Sequence, residues 1–149
     1  MDRVLLAVTL AGAVVALALG LQRRRPDAPS RGASHEAPPQ LDRDDFDRPE
    51  APWLVAVFTS ASCDTCADVW TKAVVLESDQ VAVQQVEATA DAMLHRRYQV
   101  GAVPMVVIAD DRGVVRESFL GPVSATHLWA ALAELREPGS VPPGCSDDD

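Results

Sequence analysis

The chain has 149 residues, a formal net charge of −9 and three cysteines. Its length allows one domain with additional segments, and an apolar fraction of 48% excludes wholesale disorder. The acidic balance argues against a nucleic-acid-binding protein, which needs a basic surface, and three cysteines are too few for a disulfide-stapled scaffold.

The first 25 residues contain an apolar run from residue 4 to residue 21, in which Thr9 is the only polar side chain. As a helix this run would span roughly 27 Å, close to the ~30 Å of a bilayer's hydrocarbon core. We therefore predict a single transmembrane anchor with a basic flank over residues 1–25. A cleaved signal peptide is the alternative, because Ala16-Leu17-Ala18 resembles a cleavage site.

The charges on either side of the apolar run predict its orientation. Three arginines, Arg23 to Arg25, follow the run, whereas Arg3 and the terminal amine precede it and Asp2 offsets them. Positive charge favours the cytoplasmic side of a membrane. We therefore expect a single-pass protein of the cell membrane whose domain lies in the cytoplasm, with an extracytoplasmic domain as the alternative.

Six of the eleven prolines lie between Pro26 and Pro52. This composition predicts an extended, hydrated linker over residues 26–40. The globular domain is predicted over residues 41–137, beginning with a short helical lead-in, and a flexible acidic tail over residues 138–149 follows it. The tail contains Cys145, which we interpret as a dispensable thiol, with a third redox partner or an intermolecular link as the alternatives.

Within the domain, hydrophobic patterning predicts seven elements in the order β-α-β-α-β-β-α. A parallel crossover followed by a hairpin and a closing helix gives an α/β domain with a four-stranded mixed sheet and helices on both faces. The elements are predicted at 54–58, 63–78, 81–88, 91–98, 105–109, 114–119 and 124–136, the last capped by Ser124.

Two cysteines, Cys63 and Cys66, stand where the first strand meets the first helix. This spacing can close a small disulfide ring, and a helix start favours a thiolate, which is the species that attacks a disulfide. The pattern favours redox exchange. An inert disulfide, two buried thiols, or a zinc or copper site are the alternatives, although His95 and His127 lie on other elements without ligand spacing.

A second motif, Val103-Pro104, directly precedes the third strand. A proline there cannot donate a ladder hydrogen bond, so an ordinary turn is one interpretation. A cis-proline loop that faces the cysteines is the other.

These residues, in this order and near this spacing, resemble the thioredoxin family, from about Leu41 to Arg136. The stretch from Tyr98 to Pro104 and the glycine before the last helix contribute to the resemblance. It implies a thioredoxin fold, a redox-active Cys63 and Cys66, and a cis Pro104 that contacts the substrate backbone together with Val103. With the anchor, the chain resembles the membrane-tethered thioredoxin-like proteins of high-GC bacteria.

The sequence also departs from the family pattern. Ser62 replaces the tryptophan that usually precedes the first cysteine, and Asp64-Thr65 replaces the usual Gly-Pro pair. Val57 stands where the family has a buried aspartate, and Gln85 aligns with the lysine often paired with that aspartate. The chain thus lacks the family's groups for deprotonating the resolving cysteine, and water or Glu87 are the possible substitutes.

We therefore predict a membrane-tethered thiol–disulfide oxidoreductase. Cys63 is the expected nucleophile, Cys66 the resolving thiol, and Val103 and Pro104 the substrate-binding residues. No organic cofactor or metal is expected, because protein disulfides are the substrates and a partner protein would donate or accept the electrons. The alternative is a non-catalytic thioredoxin-fold adaptor or metallochaperone. We interpret Trp53, Trp70 and Trp129 as packing residues and His35 as a solvated linker residue.

Overall fold

The computed structural model describes residues 36–140. The predicted anchor, most of the predicted linker with His35, and most of the predicted tail with Cys145 lie outside these residues. Between residues 36 and 140, no helix is long and apolar enough to cross a membrane.

The described residues form four strands and three helices, after a single 3-10 turn at Arg43–Asp45. The element order is the predicted β-α-β-α-β-β-α. The elements are β1 (Trp53–Thr59), α1 (Cys66–Val74), β2 (Val81–Glu87), α2 (Ala92–Arg97), β3 (Met105–Ala109), β4 (Val115–Leu120) and α3 (Ala125–Arg136).

The strands form one mixed sheet in the order β2-β1-β3-β4. β1 and β2 are parallel and are connected through α1, whereas β1–β3 and β3–β4 are antiparallel. The register pairs Phe58 with Met105. The carboxyl end of β1 and the amino end of β3 therefore lie at the same edge of the sheet. The predicted four-stranded mixed sheet is confirmed.

The central strand β1 is buried on both faces, which explains its continuous apolar sequence. Leu54, Ala56 and Phe58 belong to the core on the α2 face of the sheet. Val55 and Val57 belong to the core on the opposite face, where α1 and α3 pack. The sheet thus has helices on both faces, as predicted.

The boundaries of α1 differ from the prediction. The helix begins at Cys66 instead of Cys63, with Thr65 as its N-cap. Cys63 lies in a preceding turn, in which the Cys66 N–H donates to the Cys63 carbonyl at 3.3 Å. The helix ends at Val74, because the N–H groups of the next residues form tight turns, including Leu76 N–H to the Ala73 carbonyl at 3.0 Å.

The segment before β1 packs against the hairpin between β3 and β4. The Leu41 N–H donates to the Gly113 carbonyl at 2.8 Å, and the Val115 N–H donates to the Pro39 carbonyl at 3.0 Å. Gly113 has φ 77°, and a Cβ there would overlap the Leu41 carbonyl, so the turn requires glycine. Contacts with the domain therefore begin before Leu41.

Tyr98, at the end of α2, secures the same lead-in segment. Its ring stacks on Phe46, and its hydroxyl donates to the Asp45 carboxylate while accepting from the Asp42 N–H. Burial, followed by the hydrogen bond to Asp45, raises the pKa of Tyr98 to about 12. Arg97 binds the carboxylates of both aspartates at 2.9 Å.

Candidate functional site

Cys63 and Cys66 form a disulfide in the loop between β1 and α1, with their Cα atoms 5.4 Å apart. The two residues differ in burial, because Cys66 is 3% exposed and Cys63 is half-buried. A partner sulfur approaching the loop therefore meets Cys63 first. This asymmetry agrees with the roles predicted for the two cysteines, which remain predictions.

The turn that carries Cys63 is formed by local hydrogen bonds. The Cys63 N–H donates to the Ser60 carbonyl at 3.1 Å. Because α1 begins at Cys66, Cys63 precedes the N-cap by two residues, and the helix dipole acts on it less than predicted from the sequence. The Thr65 hydroxyl lies 3.8 Å from the Cys63 sulfur and offers that sulfur a local polar contact.

The Val103–Pro104 peptide bond is cis, which confirms that part of the prediction. Pro104 immediately precedes β3, and the register of β1 and β3 places it at the sheet edge where β1 ends and the cysteine loop begins. Its carbonyl accepts the Gly121 N–H at 2.8 Å. The substrate-binding role of Val103 and Pro104 remains a prediction.

Glu87, the last residue of β2, binds the cysteine loop. One carboxylate oxygen accepts the Ala61 N–H at 3.1 Å, and the other accepts the N–H groups of Thr89 at 2.7 Å and Ala90 at 2.9 Å. These hydrogen bonds lower the pKa of Glu87, and the bond from Ala90 has the largest effect. A carboxylate held ionised in this way is a poor proton acceptor, so Glu87 does not suit the substitute role considered from the sequence.

A small cavity of about 190 Å³ lies beside the disulfide and is lined by both cysteines. Its polar lining includes Thr59 and Gln85, whose side chains are joined by a 3.0 Å hydrogen bond from the Gln85 amide to the Thr59 hydroxyl. Thr59 was not among the residues predicted to act at this site. Its alternation with Val55 and Val57 along β1 would have placed it on the face that α1 covers.

No carboxylate replaces the family aspartate at residue 57. Val57 is fully buried and packs in the apolar core that also contains Val69 and Val106. It pairs in register with Gln85 on β2, so the two departures from the family pattern are neighbours in the sheet. Valine has no acceptor atom and a neutral amide is not a base, so a proton released by Cys66 would pass to solvent here.

The other candidate residues lie away from the cysteines or serve in packing. Within residues 36–140, no group of three His, Cys, Asp or Glu side chains could hold a metal ion. Trp53 and Trp70 pack against the core. Trp129 is 47% exposed and donates from its indole nitrogen to the Lys72 carbonyl at 3.2 Å, which joins α3 to α1.

No family model matches the sequence, and no curated protein matches it either. Several solved structures do. A mutant thioredoxin from Halobacterium salinarum aligns with a TM-score of 0.55 and 21% identity, over 72% of this chain and 98% of that one.

Two further structures align with a TM-score of 0.51. Thioredoxin O2 from Arabidopsis thaliana, in its oxidised state, has 19% identity over 63% of this chain and 89% of its own. A thioredoxin-fold protein from Helicobacter pylori has 14% identity over 65% of this chain and 84% of its own. Structural similarity at this low sequence identity shows the fold alone. The described part of this chain therefore has the thioredoxin fold.

Proposed function

We propose that the protein is a membrane-tethered thiol–disulfide oxidoreductase that exchanges disulfides with partner proteins through Cys63 and Cys66. The observation that carries this proposal is the disulfide itself. It joins a half-buried cysteine to a buried one at the sheet edge that also carries the Val103–Pro104 bond. The half-buried Cys63 is the cysteine that a partner thiol can approach, as exchange requires.

The exchange follows from the chemistry of thiols. In the reduced form, the Cys63 thiolate attacks a partner disulfide, a mixed disulfide forms, and one partner thiolate leaves. Cys66 then gives its proton to solvent, and its sulfur attacks Cys63. The second partner thiolate leaves and takes up a proton. Two electrons pass to the partner, and the Cys63–Cys66 disulfide is the oxidised product.

A partner protein must supply electrons to restore the dithiol, because neither cysteine can do so alone. We assign Val103 and Pro104 to the substrate backbone, which would lie along the sheet edge beside the cysteine loop. The support is their position directly before β3, next to the end of β1 in the sheet register.

The membrane part of the proposal rests on the apolar run of residues 4–21 and the arginines that follow it. We propose that this segment anchors the chain with its domain in the cytoplasm. A membrane-impermeant thiol reagent applied to intact cells after mild reduction should then leave Cys63 unlabelled until the membrane is permeabilised. Immediate labelling would place the domain outside the cytoplasm.

The full chain in detergent is expected to equilibrate with reduced and oxidised glutathione as a two-electron couple. Cys63→Ser and Cys66→Ser should each abolish the transition, whereas Cys145→Ser should leave its midpoint unchanged. The measurement is alkylation and mass spectrometry across a series of glutathione ratios. Stoichiometric zinc or copper binding without any disulfide exchange would contradict the proposal and favour a metallochaperone.

Asp64 is expected to make the cysteine pair more reducing. It is an exposed acidic residue adjacent to Cys63, and its negative charge disfavours the Cys63 thiolate. Asp64→Asn should therefore lower the pKa of Cys63 and raise the reduction potential by roughly 10–30 mV. Thiolate absorbance and the glutathione equilibrium measure the two quantities.

Asp68→Asn is the matched control for this charge. Asp68 lies in the first turn of α1 and is paired with Lys72 at 2.6 Å, so its removal should change the Cys63 pKa less than the removal of Asp64. An unchanged or higher Cys63 pKa in Asp64→Asn would show that the Asp64 carboxylate points into solvent and that its charge does not affect the Cys63 sulfur.

A further inference from the structure

We infer that Glu87 is a positioning residue that holds the loop carrying Cys63 in place against Cys66. The inference rests on the disulfide exchange proposed above, because it concerns how that exchange is controlled. Glu87 lies at the end of β2 and lines the same small cavity as both cysteines.

The carboxylate of Glu87 joins two loops that are separate in the sequence. Its Oε1 accepts the Ala61 N–H in the cysteine loop at 3.1 Å. Its Oε2 accepts the N–H groups of Thr89 and Ala90, at the turn that leads into α2. Bonds from N–H groups to an ionised carboxylate are stronger than bonds between neutral groups. The cysteine loop is thus tied to the end of β2.

The backbone of Glu87, which carries this carboxylate, is itself held by hydrogen bonds. The Glu87 N–H donates to the Asp91 carboxylate at 2.9 Å, and the Asp91 N–H donates to the Glu87 carbonyl at 2.8 Å. The Ala88 N–H donates to the Thr59 carbonyl at 2.9 Å, which keeps β1 and β2 paired beyond the last residues of the strands. Glu87 therefore binds the cysteine loop from a backbone position that is fixed at the end of β2.

On the loop side, Ala61 precedes Cys63 by two residues. The intervening Ser62 is exposed, and its N–H donates to the Ser60 hydroxyl at 3.3 Å. In the oxidised form the disulfide holds this loop. Once the disulfide is reduced, hydrogen bonds help to hold the loop in place, and the contact from Glu87 to Ala61 reaches outside the loop to β2.

Holding two thiols close together raises their effective concentration and favours the disulfide. The charge of Glu87 acts in the same direction, because a carboxylate beside the same cavity raises the pKa of Cys63 and disfavours the reduced thiolate form. Both effects favour oxidation of the pair, so Glu87 makes the protein a stronger reductant of its partners.

The test is Glu87→Gln in the full chain, a change that keeps the side chain's size and removes its charge and one acceptor oxygen. The equilibrium constant for disulfide formation against glutathione should fall about 3- to 10-fold. The pKa of Cys63 should fall as well. Glu117→Gln makes the same chemical change at an exposed residue of β4, and both quantities should then stay at their wild-type values.

Glu87→Asp separates position from charge. The shorter side chain keeps the charge but cannot span Ala61 and the turn before α2 together, so disulfide formation should weaken while the Cys63 pKa changes little. A Glu87→Gln protein with a lower melting temperature but unchanged Cys63 pKa and glutathione equilibrium would overturn the inference. If the wild-type pair fails to exchange at all, the proposed function itself fails, which is a distinguishable result.

Discussion

Cys66→Ser is expected to accumulate a mixed disulfide in nearly stoichiometric amount, whereas Cys63→Ser should accumulate none. In Cys66→Ser the half-buried Cys63 can still attack a disulfide, but no second thiol remains to release the product. In Cys63→Ser the remaining sulfur belongs to a residue that is only 3% exposed, so a partner disulfide cannot reach it.

The probe for this experiment is a short peptide disulfide added to the reduced full chain, with Cys145→Ser as the common background. Intact mass spectrometry counts the peptide adducts over time, and dithiothreitol should remove each adduct. The Cys145→Ser protein with both active-site cysteines should form only a transient adduct and then release reduced peptide. This control shows that the trapped species lies on the exchange pathway.

Equal adduct formation by the two variants would contradict the assignment of Cys63 as nucleophile. It would show that the buried sulfur becomes accessible after reduction and that the burial difference of the oxidised form does not decide which sulfur attacks. The proposed exchange would survive such a result, since either cysteine could then begin it.

The sheet could be predicted from the sequence because each strand has a distinctive local pattern. β3 was predicted at its observed bounds, and β1 was one residue short at each end. A run such as Leu54 to Phe58 is apolar on both faces, which suits a central strand covered by helices on both sides. The last helix was also predictable, because Ser124 caps it by accepting the His127 N–H.

The start of α1 was harder to predict. The apolar spacing of Val69 and Ala73 continues back to Cys66 but says little about the residues before it, where short turn hydrogen bonds compete with the helix. As a result Cys63 lies further from the helix terminus than expected. The cis bond before Pro104 was one of two interpretations of the Val103-Pro104 dipeptide, and the resemblance favoured it over an ordinary turn.

The polar contacts around the disulfide could not be predicted, because they join residues distant in the sequence. Glu87 binds Ala61, which is 26 positions earlier, and Gln85 is equally far from Thr59. A sequence pattern shows which face of a strand a side chain occupies, but not which loop N–H it meets. The lead-in contact between Leu41 and Gly113 belongs to the same class.

Val57→Asp is expected to lower the free energy of unfolding by about 3 kcal/mol or more at neutral pH. The substitution would introduce at this position the acidic side chain that the thioredoxin family carries there. In this protein, however, Val57 is fully buried and packed among apolar side chains that include Val69 and Val106. An ionised carboxylate would lose its hydration there without gaining a positively charged partner, because Gln85 replaces the family lysine.

The pH dependence of this loss has a definite sign. Burial disfavours the charged form, so the pKa of the introduced carboxyl is raised in the folded state above its unfolded value of about 3.9. The folded state then binds more protons than the unfolded state between these two values. Relative to wild type, stability should therefore fall by up to about 1.4 kcal/mol per pH unit as the pH rises through this interval.

Val57→Asn is the matched control, because it has nearly the same shape and polarity but no charge to titrate. The destabilisation caused by Val57→Asn should be the same at about pH 4.5 and pH 7.5, whereas that caused by Val57→Asp should grow between these two pH values. Urea unfolding of both variants at both pH values measures the two free-energy losses.

Equal destabilisation by the two variants at the higher pH would mean that solvent from the cavity beside Cys66 reaches residue 57. The core could then accommodate an ionised carboxylate at residue 57, near Cys66. In that case, the packing of the core would not explain why this chain has valine there. A larger destabilisation by Val57→Asp would show that the apolar core excludes a carboxylate at this position, which leaves solvent to receive the Cys66 proton.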